Sequence, residues 1–340
     1  MNKVKISLLE LGAIREGEET SHALKNIVDN ALFVESLGYH RVWLAEHHNM
    51  ATVSTAATAV LIGHVADKTK TIRVGSGGIM MPNHTPLAIA EQFGTLNILY
   101  PDRIDLGLGR APGTDQQTAA ALRRNNLSSQ YDFPQDIRSL QQFFSAENSG
   151  AKVRAFPGEG QHVPIWILGS STDSAYLAAD YGLPYAFASH FAPTELFNAL
   201  AIYKQRFKPS DSLSKPYIMV AANVIVADTD EEALFLKTTL DQMALGFITG
   251  NRGKLQPPVK QLPEVFHHPD VQQALSRLST FTFAGSKKTI QNKLGEFISK
   301  TGADELITTN YIFDKAAKKR SFELLAEAMG FREMDETVSC

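Results

Sequence analysis

Short apolar, β-branched runs alternate along the chain with longer segments in which apolar residues recur at helical spacing. In the first such segment Leu24, Ile27 and Val28 fall on one helical face, and Gly38 follows its end. Eight runs are predicted to be strands, and they span residues 4–9, 41–45, 72–76, 104–108, 164–168, 185–189, 217–227 and 305–309. Strands that alternate with helices indicate an α/β protein with a parallel sheet. Eight strand–helix pairs predict a closed (β/α)8 TIM barrel with insertions.

The domain organisation follows from the regularity of this pattern. No linker-like change in composition divides the chain, so residues 1–340 are predicted to form a single barrel domain. Residues 246–283 break the rhythm and carry Pro257, Pro258, Pro263 and Pro269. A long proline-rich stretch between regular elements is typical of an added segment, so we expect an insertion there.

Composition and charge exclude several classes of function. The chain has 33 basic and 36 acidic residues and a formal net charge of −3, so no nucleic-acid or membrane partner is expected. Its one cysteine, Cys340, permits no intramolecular disulfide and no cysteine-based metal site. The apolar stretch near the N-terminus is too short for a secretory signal, and no run of about 20 apolar residues occurs. We therefore expect a cytoplasmic protein.

Two glycine clusters follow neighbouring strands of the predicted barrel. Gly77 and Gly78 come after the third strand, and Gly109 and Arg110 come after the fourth. Because the carboxyl ends of the strands in such a barrel share one rim, these residues should line one cavity. Glycine lets the backbone approach a ligand closely, and an arginine there adds a fixed charge suited to a phosphate.

A third cluster, Gly169-Ser170-Ser171-Thr172-Asp173-Ser174, opens the helix after the fifth strand. The free N–H groups and the dipole of a helix N-terminus favour an anion, and the hydroxyls of Ser171 and Ser174 could add donors. Plain N-capping by a serine would produce the same pattern. Arg110 on the same rim favours a phosphorylated ligand.

Two adjacent histidines, His47 and His48, follow the second strand. Neighbouring side chains at a strand end point in opposite directions, so only one should face the cavity, and no metal site is predicted. A cavity histidine could act as a general acid or base near neutral pH. A histidine that merely satisfies backbone groups would fit the same spacing. His84 looks isolated, and no chemistry is assigned to it.

Four motifs in a fixed order resemble those of the luciferase-like flavin monooxygenases, the group that includes bacterial luciferase. They are residues 43–48, 75–82, 105–110 and 164–184, and the resemblance extends from Val4 to about Met329. It implies a barrel that binds reduced FMN at its C-terminal mouth, usually as a homodimer. It also implies O2 and a small organic molecule as substrates, with reduced flavin delivered by a separate flavin reductase.

The resemblance also implies roles for individual residues. His47 corresponds to the histidine that faces the flavin, and Gly77-Gly78 to a dipeptide under the flavin ring, with a cis peptide bond. The FMN phosphate would be bound by Arg110 and by the 164–184 motif through Gly169, Ser170, Ser171 and Ser174. Light-emitting members have a cysteine where this chain has Gly109, so bioluminescence is not expected.

Three functions fit these observations. The first is a monooxygenase that uses reduced FMN. The second is an oxidoreductase that transfers hydride with the deazaflavin F420, which relatives on the same barrel bind. The third is a flavin-binding protein with little turnover. Arg110 is the one convincing cation, which favours FMN over the longer tail of F420, and His47 argues against lost catalysis. The identity of the organic substrate is not encoded in any readable motif.

Overall fold

The eight predicted strands close into a parallel barrel in the computed structural model, which describes residues 4–122 and 131–331. The ten strands of the described residues are β1 Lys5–Glu10, β2 Arg41–Leu44, β3 Arg73–Ser76, β4 Ile79–Met80, β5 Ile104–Gly109, β6 Ile165–Gly169, β7 Tyr185–Phe187, β8 Ile218–Ala227, β9 Thr282–Ser286 and β10 Glu305–Thr309. All except β4 and β9 form the barrel, in the order β1-β2-β3-β5-β6-β7-β8-β10. The ring closes where Glu305 of β10 pairs with Lys5 of β1 and Met219 of β8. The predicted barrel and its eight strands are confirmed.

Helices connect the strands and surround the barrel. Those of the described residues are α1 Thr20–Ser36, α2 Thr58–Lys68, α3 Pro86–Leu99, α4 Gln116–Leu122, α5 Phe133–Phe144, α6 Thr172–Tyr181, α7 Leu196–Arg206, α8 Asp230–Thr249, α9 Pro269–Leu278, α10 Lys287–Thr301 and α11 Lys315–Ala328. Short 3-10 helices span Met81–Asn83, Ala146–Gly150 and Glu264–His267. Within the described residues, no helix combines the length and apolar character needed to cross a membrane.

The segment expected to be an insertion contains regular structure that the sequence pattern did not predict. It includes the end of α8, the 3-10 helix Glu264–His267, α9 and the start of β9. Strand β9 pairs with the second half of β8, whose first half pairs with β10, because β8 is ten residues long. The extent of the single domain, residues 1–340, stays a prediction.

Two apolar layers follow from the alternation of side chains along the strands. In β1, Leu8 packs into the large core between strands and helices, whereas Leu9 belongs to the cluster inside the barrel. The indole rings of Trp43 and Trp166 meet edge to face in that interior cluster, with centroids 5.1 Å apart. These interior side chains fill the barrel, so a ligand can enter only from one of its ends.

A buried ionic network occupies the amino-terminal end of the barrel. Arg41, the first residue of β2, lies 2.6 Å from Asp105 of β5 and 2.8 Å from Glu305, the first residue of β10. All three side chains are almost fully buried, and charges in such a position need paired partners. The opposite, carboxyl-terminal end of the barrel is left for binding.

Candidate active site

A cavity of about 650 Å³ lies at the carboxyl ends of the strands. Small-molecule sites usually have volumes of this order. The predicted site residues that line it are His47, Gly77, Arg110, Gly169, Ser170, Ser171 and Ser174. The fold therefore brings together side chains that lie more than a hundred positions apart in the sequence.

The Gly77-Gly78 dipeptide lies between β3 and β4, and its peptide bond is cis, as predicted. A Cβ atom on Gly77 would lie 2.7 Å from Leu9 Cδ1, and one on Gly78 would lie 2.8 Å from the carbonyl oxygen of Gly107. Both distances are shorter than real contacts of a Cβ atom. At Gly78 the obstacle is backbone, so only glycine fits there, whereas a side chain at Gly77 would have to displace the Leu9 methyl group. Gly77 faces the cavity, and the predicted contact of the dipeptide with a flavin ring stays a prediction.

The N-terminus of α6 opens onto the cavity beside β6. Ser171 is the N-cap residue, but it makes no side-chain capping hydrogen bond. Plain capping is therefore not what this serine does in the structure. The first N–H groups of a helix have no intrahelical acceptor, so they remain available to an anion together with the Ser171 hydroxyl.

Ser174 shapes the turn that leads into α6. Its Oγ atom donates a hydrogen bond to the carbonyl oxygen of Ser171 at 2.7 Å and lies 2.9 Å from the hydroxyl of Tyr185. Gly169 packs against it so closely that a Cβ atom there would be 1.8 Å from Ser174 Oγ. The hydroxyl of Ser174 is thus already used within the turn, and its predicted contact with a phosphate stays a prediction.

Arg110 reaches the first turn of α6, where its Nη1 atom lies 3.1 Å from Asp173 Oδ2. The side chains of Arg110 and Asp173 are 54% and 66% exposed. Exposed ion pairs stabilise proteins by only about 0–1 kcal/mol. A phosphate at the helix N-terminus could therefore replace Asp173 as the partner of Arg110 at little cost.

His47 is half-buried at the wall of the cavity, and its Nδ1 atom has no hydrogen-bond partner within the described part of the chain. Burial lowers the pKa of His47 below its ordinary value, although the negative charge of Glu46 opposes the shift. The imidazole is consequently neutral at pH 7 and can either accept or donate one proton.

His48 points away from the cavity, as predicted, and binds the buried carboxylate of Glu46 at 2.9 Å. The same carboxylate contacts His84 Nε2 at 2.8 Å and accepts the backbone N–H of Met80 at 3.2 Å. The interpretation of His84 as isolated is wrong, because the 3-10 helix Met81–Asn83 returns the chain to Glu46. Burial raises the pKa of Glu46, but the hydrogen bonds from His84 and His48 outweigh it and hold that pKa below its ordinary value.

The ligand atoms of Glu46, His48 and His84 all lie within 4.8 Å of one another, close enough to hold a metal ion. However, both imidazoles lie 2.8–2.9 Å from one carboxylate oxygen, which is the distance of a direct hydrogen bond. A zinc ion about 2.0–2.1 Å from each ligand would keep tetrahedral ligands roughly 3.3 Å apart. The observed geometry fits a hydrogen-bonded carboxylate that anchors the segment carrying His47.

Several polar residues of the cavity wall were not predicted, including a histidine, an asparagine and an arginine. His190 follows β7, Asn223 lies within β8, and Arg252 follows α8. The rule that pointed to the His47-His48 pair, polar residues just after a predicted strand, could also have found His190 after residues 185–189. Arg252 gave no signal, since it lies in the segment 246–283, where the sequence shows no regular pattern.

One side of the cavity is an apolar wall contributed by α8 and α9. Its side chains are Leu240, Met243, Ala244, Phe247, Leu275 and Leu278. Helix α9 lies in the segment 246–283, for which the sequence predicted no regular elements, so its part of the wall was not predicted. Such a surface suits the apolar body of an organic molecule and keeps water from it.

The chain is similar to known proteins along most of its length. The family model described as luciferase-like monooxygenase matches residues 4–305. A protein of Escherichia coli K12 described as a luciferase-like monooxygenase is 48% identical over 321 residues, which cover 94% of this chain and 96% of the relative. The structure of apo-MsnO8 is similar with a TM-score of 0.86 and 31% identity, covering 97% of this chain and all (100%) of MsnO8.

More distant structures share the fold. The oxygenating constituent of 3,6-diketocamphane monooxygenase from Pseudomonas putida, solved with FMN, has a TM-score of 0.72 at 18% identity and covers 96% of this chain and 97% of its own. An F420-dependent secondary alcohol dehydrogenase, solved with an F420-acetone adduct, has a TM-score of 0.67 at 16% identity, with coverages of 96% and 98%. Proteins with this fold therefore bind either FMN or F420.

Proposed function

The chain belongs to the luciferase-like monooxygenase family, and from this premise we propose that it uses reduced FMN and O2 to oxygenate a small organic substrate. One observation carries the proposal. A single cavity is lined by Arg110 and the N-terminus of α6, which suit a phosphate, and by His47 and Gly77, which suit a flavin ring. The apolar wall from α8 and α9 lines the same cavity. This combination matches a phosphorylated flavin beside an organic molecule.

Individual residues of the chain would have separate roles in binding the cofactor and in the reaction. Reduced FMN, when bound, would supply the two electrons with which one atom of O2 is transferred to the substrate and the other is released as water. Arg110 and the first N–H groups of α6 bind the phosphate, while Gly77 lets the backbone approach the ring. His47 accepts or donates a proton at Nδ1, and the wall formed by α8 and α9 excludes water from the reacting atoms.

The alternative with F420 has less support from the charges in the cavity. The tail of F420 is longer and more anionic than that of FMN, and a protein that binds it needs more cations along the groove. Arg110 and Arg252 are the lysine or arginine residues among the described residues that line the cavity. The third possibility, a flavin-binding protein with little turnover, is disfavoured by the unpartnered Nδ1 atom of His47 in the cavity.

An anaerobic binding experiment tests the choice of cofactor. Reduced FMN, riboflavin and F420 would be titrated separately into the protein, and each dissociation constant would be measured by fluorescence. The proposal predicts that reduced FMN binds most tightly and that riboflavin, which lacks the phosphate, binds more weakly. Tighter binding of F420, together with hydride transfer to or from it, would replace the proposed function by the deazaflavin alternative.

We also infer two partners, a separate flavin reductase and a second copy of this chain. Three neighbouring helices expose large apolar side chains, Leu32 on α1, Val60 on α2 and both Ile98 and Leu99 on α3. Val60 is 72% exposed, and exposed apolar groups of this kind often mark protein interfaces. Light scattering should give the mass of a homodimer for the parent protein and of a monomer for Val60→Asp.

A further inference from the structure

We propose that His190 binds the polar group of the organic substrate and that this group is uncharged. The proposal rests on the proposed function, since it concerns the second occupant of the same cavity. It adds a substrate-binding residue and a class of substrate, namely a mainly apolar molecule with one neutral hydrogen-bonding group.

One contact holds the backbone of His190 and another holds its ring. Its carbonyl oxygen accepts a hydrogen bond from Asn223 Nδ2 at 2.8 Å, and the same amide lies 3.1 Å from Thr282 Oγ1. The imidazole packs edge to face against the ring of Phe191, with centroids 5.0 Å apart. The hydrogen bond fixes the backbone at His190, and the ring contact restricts the imidazole, so less freedom is lost when a ligand binds.

The imidazole of His190 has a buried nitrogen without a partner. Its Nδ1 atom makes no hydrogen bond to any described residue, and the same is true of Nδ1 of His47. Buried polar atoms are nearly always hydrogen-bonded, so each exception calls for an explanation. Strands β2 and β7 are four positions apart in the ring of eight, so the two histidines approach the cavity from opposite sides. Molecules bound between them could satisfy both nitrogen atoms.

The charge state of His190 limits what it can bind. Burial and the nearby His47 lower the pKa of His190 to about 4. The ring is therefore neutral at pH 7 and offers one N–H donor and one nitrogen acceptor. Hydroxyl, carbonyl and amide groups match that pair, whereas a carboxylate beside a neutral buried ring would be desolvated without a counter-charge.

Arg252 provides the competing possibility at the rim of the cavity. Its guanidinium lies over the ring of Phe247, with its central carbon 4.7 Å from the centroid, and the side chain is exposed. A substrate with a carboxylate would form an ion pair with Arg252. Arg252 is solvent-exposed, so water weakens its attraction for a carboxylate, whereas the free nitrogen of His190 is buried, and the neutral group is favoured.

The experiment uses probes with one apolar tail and different ends. Octane, 1-octanol and octanoate would be titrated into the FMN-loaded protein, with calorimetry for affinity and imidazole nitrogen NMR for His190. We expect 1-octanol to bind most tightly and to shift the His190 resonance. His190→Ala should weaken its binding by about two- to tenfold, the effect of one lost hydrogen bond. His190→Asn, whose amide can replace Nδ1, should retain most of the affinity.

The controls separate this proposal from its premise. His22→Ala removes an exposed histidine on α1 and should leave probe binding unchanged. Tighter binding of octanoate that depends on Arg252, or an unshifted His190 resonance in the parent protein with 1-octanol bound, would overturn the proposal. Failure of every probe to bind the FMN-loaded protein would also overturn it. Failure to load FMN would instead contradict the proposed function.

Discussion

Arg110 and Asp173 provide a direct test of the phosphate site, because the two side chains form an ion pair at the place where a phosphate would bind. Their closest atoms are 3.1 Å apart, and both side chains are more than half exposed. If FMN displaces Asp173 from Arg110, the two residues must have opposite effects on affinity. Arg110→Ala should weaken FMN binding, and Asp173→Asn should strengthen it.

The expected magnitudes follow from the geometry. A charge-assisted hydrogen bond contributes about 1.5–3 kcal/mol, so Arg110→Ala should raise the dissociation constant roughly ten- to hundredfold. The exposed ion pair contributes about 0–1 kcal/mol, so removing the competing carboxylate should tighten binding by up to about fivefold. A carboxylate in the first turn stabilises a helix, and Asp173→Asn should therefore also lower thermal stability slightly.

Titration of FMN and riboflavin into each variant measures both effects. Asp180→Asn is the matched control, since Asp180 lies at the other end of α6 and pairs with Lys208 at 2.7 Å. This control should bind FMN like the parent protein. Riboflavin lacks the phosphate, so its affinity should be almost unchanged in every variant. An equal loss of FMN and riboflavin binding in Arg110→Ala would refute the assignment of Arg110 to the phosphate.

Three further predictions concern the turn, the buried carboxylate and the pH dependence of stability. In Gly169→Ala the new Cβ atom would lie 1.8 Å from Ser174 Oγ, so FMN affinity should fall at least about tenfold in the same titration. Glu46→Gln removes the charged acceptor of His84 and should lower the free energy of unfolding in urea by about 1–3 kcal/mol. The pKa of His190 is lowered to about 4 in the folded protein, so the unfolded chain binds more protons below about pH 6.5. The free energy of unfolding should therefore fall from pH 6.5 toward pH 4. This residue contributes at most about 1.4 kcal/mol per pH unit, so His190→Asn should make the free energy of unfolding depend less on pH in this range.

The sequence predicted the barrel because its strands obey local rules. Each strand is a short β-branched run that packs against helices on one face and fills the barrel on the other, and this pattern needs no long-range information. The same regularity puts every strand end on one rim. Arg110, which directly follows a strand, is therefore expected in the cavity from the pattern alone, whereas the choice of His47 over His48 needs the resemblance to the family.

Features that depend on tertiary contacts were not predictable in this way. Glu46 and His84 lie 38 residues apart in the chain and meet only because the segment after β4 turns back. Helix α9 and the start of β9 lie in a proline-rich segment whose packing onto the cavity has no periodic signature. Arg252 and half of the apolar wall, Phe247, Leu275 and Leu278, belong to the same segment, which explains why substrate recognition could not be read from the sequence.

The most direct test of the proposed function is the reaction of protein-bound reduced FMN with oxygen. Anaerobically reduced FMN on the protein would be mixed rapidly with oxygenated buffer, and the loss of reduced flavin and the appearance of oxidised flavin would be followed separately. The account predicts that reduced flavin disappears before oxidised flavin forms, and that His47→Ala shortens this delay while His48→Ala leaves it nearly unchanged. Simultaneous loss and formation, at the rate of free reduced FMN, would contradict the account.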